Sequence, residues 1–134
     1  MARPVGPVLR SLGVEPDDFA RVAGLSDLEG VTIAAAPRFM RCLWVGSVAA
    51  MAVGRRIFVD PTRLAGDRRT LARLILHELV HVRQWRASGA IGFVGRYLAD
   101  YLGSRLHRRS HLESYARIPF EIEARIVGAS FEID

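Results

Sequence analysis

The sequence predicts an α+β domain, in which a small sheet or hairpin packs against two helices. Residues 49–53 and 56–59 are apolar segments on either side of Gly54, a pattern typical of a β-hairpin. Residues 70–86 contain no Gly or Pro, and their apolar residues recur at helical spacing. A second apolar helical run follows Pro119, which suits the first turn of a helix. Strands followed by helices favour the α+β class.

The first 30 residues are predicted to form an N-terminal arm, and residues 31–134 the domain itself. Pro and Gly interrupt the arm repeatedly, and only residues 17–23, after Pro16, favour a short helix. Residues 32–36 are predicted to form the first strand of the domain.

The longest uninterrupted helical pattern covers residues 70–86. Asp67 or Thr70 is suited to cap its start, and Gly89 lies just past its end. The apolar residues that would face the core are Leu71, Leu74, Ile75, Leu79, Val82 and Trp85. The pattern therefore predicts one amphipathic helix packed on the sheet.

This helix carries the sequence His77-Glu78-Leu79-Val80-His81. Residues four apart project from one face of a helix, so His77 and His81 can bind the same metal ion. Glu78 then lies within reach of a water at that metal, which is the geometry of metal-assisted hydrolysis. The motif therefore predicts zinc as the cofactor and hydrolysis, most often of a peptide bond, as the chemistry.

Two histidines do not complete a catalytic zinc site, so a third protein ligand is expected. The downstream candidates are His107, His111, Glu113, Glu121, Glu123 and Glu132. The helix after Pro119 stands out, because a carboxylate near a helix start is favoured by the helix dipole. On a helical wheel Glu121 lies beside the small residues Ala124 and Gly128. Glu123 lies in the apolar arc and needs a polar partner there.

A His-Glu-x-x-His motif followed some tens of residues later by a helical Glu resembles the gluzincin arrangement of zinc metallopeptidases. The Pro-x-Glu-x-x-Ala pattern at residues 119–124 resembles that of zincins related to the Mlc titration factor and anthrax lethal factor. The chain also resembles small bacterial zincin-like domains of unassigned function. The resemblance implies a minimal zincin-like fold with His77, His81 and Glu121 as zinc ligands, and Glu123 is the alternative third ligand.

Two further expectations come from the resemblance. Many gluzincins carry Asp four residues after the ligand Glu, but this chain has Arg125 there, which leaves the partner of the ligand histidines open. Tyr115 precedes the ligand helix, and a similarly placed Tyr in lethal-factor-like zincins implies that its phenol is a catalytic hydrogen-bond donor. Zincins also use an edge strand to align the substrate backbone.

The composition limits the classes of partner. The net charge is +5, and all 19 basic residues are arginines. They are dispersed along the chain, so solubility explains them better than nucleic-acid binding does. The single Cys42 excludes an intrachain disulfide. The N-terminus lacks the apolar core of a secretory signal, and no apolar stretch reaches the roughly 20 residues of a membrane span, so cytoplasmic residence is expected.

The favoured hypothesis is a zinc-dependent peptidase acting on a peptide or protein substrate, with Glu78 as the proton acceptor for the attacking water. The alternative is a non-catalytic zinc-bearing scaffold that serves as a binding or assembly module, since 134 residues leave little material for a deep cleft. The sequence specifies no oligomeric state.

Overall fold

A four-stranded mixed sheet lies against the first half of one long helix. The structure, a computed structural model, describes residues 2–43, 49–106 and 119–130. In chain order the elements are β1 (Arg3–Pro4), α1 (Val5–Ser11), α2 (Pro16–Ala23), β2 (Thr32–Ala35), α3 (Arg38–Leu43), β3 (Ala50–Val53), β4 (Arg56–Val59), α4 (Pro61–Leu64), α5 (Arg68–Leu106) and α6 (Pro119–Ser130). The predicted α+β class is confirmed.

The sheet has the strand order β1-β2-β4-β3, so β3 lies at an edge. Strands β2 and β4 are parallel, and the other two pairs are antiparallel. The predicted hairpin is confirmed as β3 and β4, and Gly54 adopts the positive φ of 62° that the turn requires. In β3 the side chains of Ala50 and Ala52 are buried, whereas those of Met51 and Val53 are exposed. This alternation places one face of the edge strand against α5.

Residues 2–30 contribute directly to the core. Val5, Leu9 and Phe19 are fully buried there, and β1 pairs with β2. The short helix predicted after Pro16 is confirmed as α2. These residues are the predicted N-terminal arm, and the division at residue 30 stays a prediction.

Helix α5 begins as the sequence indicates. The Asp67 carboxylate accepts a hydrogen bond from the backbone N–H of Thr70 at 2.9 Å, so Asp67 caps the helix start. Leu76, Leu79 and Val80 are completely buried. The helix breaks at Gly89 (φ 71°, ψ 165°), and a second helical segment, residues 90–106, follows at once. Helix α6 packs against α5. No helix in the described ranges is both long and apolar enough to cross a membrane.

Candidate metal centre

Helix α6 brings one carboxylate against two imidazoles of α5. His77 Nε2 lies 3.2 Å from Glu121 Oε2, and His81 Nε2 lies 3.0 Å from Glu121 Oε1. One potential ligand atom from each of the three residues lies within 4.8 Å of the others. His81 and Glu121 are buried, and His77 is partly open to solvent. The structure therefore places together the three side chains that the sequence predicted as zinc ligands.

The donor atoms suit a zinc ion. Tetrahedral zinc with bonds of about 2.0–2.2 Å holds neighbouring donor atoms about 3.3–3.5 Å apart, close to the separations found here. His81 Nε2 and Glu78 Oε2 are buried and have no hydrogen-bond partner among the described residues. Glu121 Oε1 is near His81 Nε2 but outside the direction of a hydrogen bond, so the nitrogen lone pair remains available. A buried unpartnered acceptor is costly, and a metal ion would remove that cost.

Electrostatics in the centre favours a cation. Burial alone would raise the pKa of Glu121, but the adjacent imidazoles of His77 and His81 outweigh burial and hold that pKa well below its usual range. Burial lowers the pKa of His81, yet the Glu121 carboxylate and the charge of Glu78 more than compensate, so the pKa is raised. A divalent ion would balance the Glu121 charge while the imidazoles bind in their neutral, ligating form.

Gln84 fixes the orientation of the His81 ring. The Gln84 amide nitrogen donates to the Phe120 carbonyl at 3.1 Å and to Glu123 Oε1 at 2.8 Å. Its oxygen must therefore face His81 Nδ1, which lies 2.7 Å away and donates a hydrogen bond to that oxygen. This tautomer leaves His81 Nε2 as the nitrogen that can bind metal. Gln84 is thus the hydrogen-bond partner of a ligand histidine, a role that the presence of Arg125 in place of Asp had left open.

Glu123, the alternative third ligand, lies elsewhere. Its carboxylate forms an ion pair with Arg83 and accepts from Gln84, and it is about half exposed. Among the described residues, Gln84 links Glu123 to His81, so the contact of Glu123 with the centre is indirect.

Glu78 lies at the same centre and lines one cavity together with His81 and Glu121. The residue is 4% exposed, and burial raises the pKa of its carboxyl, although the neighbouring His81 and His77 oppose this effect. The Ala52 backbone donates a hydrogen bond to the carboxyl. With one oxygen unpartnered, Glu78 is placed to exchange a proton with a molecule bound beside the histidines.

Tyr97 also contacts the centre, although the sequence did not predict it as a site residue. Its hydroxyl donates to Glu121 Oε1 at 3.3 Å from the second segment of α5. Phe93, one turn earlier, stacks on Trp85 with ring centroids 4.6 Å apart and packs edge-on against His81. In the sequence, the four-residue spacing of Phe93 and Tyr97, which places both on one helix face, is the pattern that could have identified Tyr97. Tyr115, the predicted hydroxyl donor, lies outside the described residues.

Substituting Gln84 is expected to weaken zinc binding. Gln84→Met removes the acceptor for His81 Nδ1–H, so the zinc dissociation constant should rise about 10- to 100-fold. Competition with a chromophoric chelator measures this change. Gln84→Glu, which keeps an acceptor oxygen, should retain more of the affinity, and the exposed Arg86→Gln on the same helix is the control. A Gln84→Met affinity within about threefold of the native protein would contradict the orienting role.

One family of known proteins resembles part of the chain. The family model described as eCIS core domain matches residues 17–89, which are 73 of the 134 residues. The matched range contains β2, β3, β4 and the histidine motif, and it ends at the Gly89 break before α6. No curated protein and no solved structure matches the chain.

Proposed function

The chain belongs to the extracellular contractile injection system (eCIS) core domain family, and we propose that it is a zinc-dependent peptidase. One observation carries the proposal. His77, His81 and Glu121 converge on one point, and the unpartnered carboxyl oxygen of Glu78 is buried beside them. Two imidazoles, a carboxylate ligand and a separate carboxyl form the set that metal-assisted hydrolysis needs.

Each residue has a defined task in this proposal. His77, His81 and Glu121 would hold zinc, which lowers the pKa of water towards about 7 and polarises a carbonyl. Glu78 accepts the proton of the attacking water and delivers it to the leaving amine. Gln84 holds the His81 ring, and the Tyr97 hydroxyl holds Glu121 through its hydrogen bond. These bonds pre-orient two of the ligands before any metal binds.

The edge strand supports a peptide as the substrate. Ala49 accepts a hydrogen bond from Asp60, so in the antiparallel pairing the backbone groups of Ala50 and Ala52 point away from β4. The Ala52 carbonyl is occupied by Trp85 Nε1 at 3.1 Å. The backbone of Ala50 is therefore the position at which an extended peptide would add to the sheet.

Removing and restoring zinc tests the proposal. The purified chain should bind one zinc ion per molecule, measured by metal analysis. Zinc at about 1000 times its dissociation constant should raise the unfolding temperature by about 15 °C. A peptide library incubated with the zinc-loaded chain should show new termini by mass spectrometry. The chelated chain should produce none, and added zinc should restore them. A stoichiometric zinc complex that cleaves nothing would overturn the peptidase assignment.

The second candidate is a non-catalytic zinc-bearing module of an assembly. The family description favours it, because it names a core domain of an injection system. In that case zinc would stabilise the fold or a contact with a partner protein without turnover. The zinc-loaded chain would then be stabilised in the unfolding measurement and inactive against every peptide. For both candidates we propose that the chain acts in the cytoplasm.

A further inference from the structure

Two cavities that differ in their charged side chains adjoin the candidate metal centre. One has a volume of about 260 Å³ and is lined by Glu78, His81 and Glu121 together with apolar side chains. The other has a volume of about 310 Å³ and is lined by His77 together with arginines. A molecule bound at the centre would therefore have different surroundings on its two sides.

The first cavity, called here the apolar cavity, lies between β3 and the second segment of α5. Trp85 and Phe93 form a stacked aromatic wall, and Val94 and Leu98 line the cavity from the same segment. Val94 is 43% exposed and Leu98 is 51% exposed, although both line the cavity with the buried ring of Phe93. An apolar surface that stays open next to a reactive centre suits one large apolar side chain of a ligand.

The second cavity, called here the arginine cavity, is lined by Arg63, Arg73 and Arg125, and no acidic side chain lines it in the part of the chain that the structure describes. Arg73 is one helical turn before His77, so its guanidinium shares the face that carries the candidate ligand. Asp60 lies near Arg63 and partly balances it. No ion pair of Arg73 is found within the described ranges. The charged side chains at this cavity are cationic, which favours a carboxylate over a neutral or basic side chain there.

Resting on the proposed peptidase function, we propose that the preferred substrate is an extended polypeptide with a large apolar side chain on one side of the scissile bond and an acidic side chain on the other. The apolar side chain enters the apolar cavity, and the acidic one binds at Arg73. An extended chain advances about 3.3 Å per residue, so side chains separated by one or two residues can occupy cavities on both sides of one centre.

Binding to the zinc-loaded Glu78→Gln variant tests this inference without turnover. Four labelled peptides carry Leu or Ser at one position and Glu or Gln two residues away, and a second set reverses their order. Fluorescence anisotropy should rank the Leu and Glu peptide of one order tightest. Leu to Ser should weaken binding about 10- to 100-fold. Glu to Gln should weaken it about threefold to fivefold at low salt, and the difference should vanish near 0.5 M salt.

Matched variants assign each preference to its cavity. Leu98→Ser should remove most of the preference for Leu, whereas Leu102→Ser, which is exposed on the same segment, should keep it. Arg73→Gln should remove the preference for Glu, whereas Arg69→Gln, one turn earlier, should keep it.

The outcomes separate the two proposals. If the native protein cleaves nothing but the selective binding is observed, the peptidase proposal is refuted and the assigned binding cavities are supported. If the native protein cleaves peptides but all the labelled peptides bind equally, the proposed substrate preference is refuted and the peptidase proposal is kept. Equal losses in Leu98→Ser and Leu102→Ser, or in the two arginine variants, would also overturn the assigned cavities.

Discussion

Glu78→Gln is expected to abolish peptide hydrolysis and to leave zinc binding unchanged within about threefold. The amide has nearly the shape of the carboxyl but cannot accept a proton from water. General base catalysis contributes about 10²- to 10⁴-fold, so kcat should fall by at least about 100-fold. The measurements are kcat and KM on a cleaved peptide from the library and a zinc titration against a competing chelator.

The fold should tolerate this change. Glu78 is buried and one of its oxygens has no hydrogen-bond partner among the described residues, so replacing it with a neutral amide removes a costly buried group. The unfolding temperature of the zinc-loaded variant should equal that of the native protein or exceed it. Glu29→Gln, at an exposed position, is the matched control. Full activity in Glu78→Gln, with zinc bound, would refute the proposed mechanism.

Local sequence patterns predicted the elements that present the histidines. The helix start at Asp67, the hairpin turn at Gly54 and the spacing of His77 and His81 all depend on residues close together in the chain. Periodicity and capping are local effects, so a single sequence displays them. The same reasoning marked Gly89 as the end of the helix, and its positive φ is where the helix breaks.

The partners of the motif depend on tertiary packing, which local patterns do not show. Gln84 and Tyr97 act because α6 and the second segment of α5 lie against the motif. Glu121 and Glu123 are two residues apart near one helix start, and a helical wheel without a known neighbour cannot orient them. Arg83 and Gln84 bind Glu123 on one side, while Glu121 faces the histidines.

In residues 2–30 the local sequence pattern did not predict the burial that the structure shows. Pro and Gly at short intervals suggested an arm, yet Val5, Leu9 and Phe19 fill the core between those interruptions. Burial there depends on the sheet that β1 joins through β2, and this pairing spans about 30 residues of sequence. Short elements have too few residues for their periodicity to be read, so their contribution appears only in the folded chain.

Replacing Glu121 with Ala is expected to weaken zinc binding far more than replacing Glu123 with Ala. Structural zinc sites with four ligands bind with about 10–16 kcal/mol, or about 2.5–4 kcal/mol for each ligand, so loss of one ligand should raise the dissociation constant about 70- to 1000-fold. Glu123 acts on the centre only through Gln84, so its loss should cost about tenfold or less. Both affinities follow from the same competitive titration.

The pair of variants is matched, because both remove one carboxylate from the same turn of α6. Glu123→Ala also frees Arg83, and this change at a half-exposed pair should alter stability by less than about 1 kcal/mol. Glu121→Gln, which keeps the side-chain volume between the histidines, separates loss of the ligand from loss of packing. It should resemble Glu121→Ala in zinc affinity and the native protein in helical content by circular dichroism. If Glu123→Ala loses more affinity than Glu121→Ala, the ligand belongs to Glu123, and α6 must then bind zinc in a different rotation from the one described.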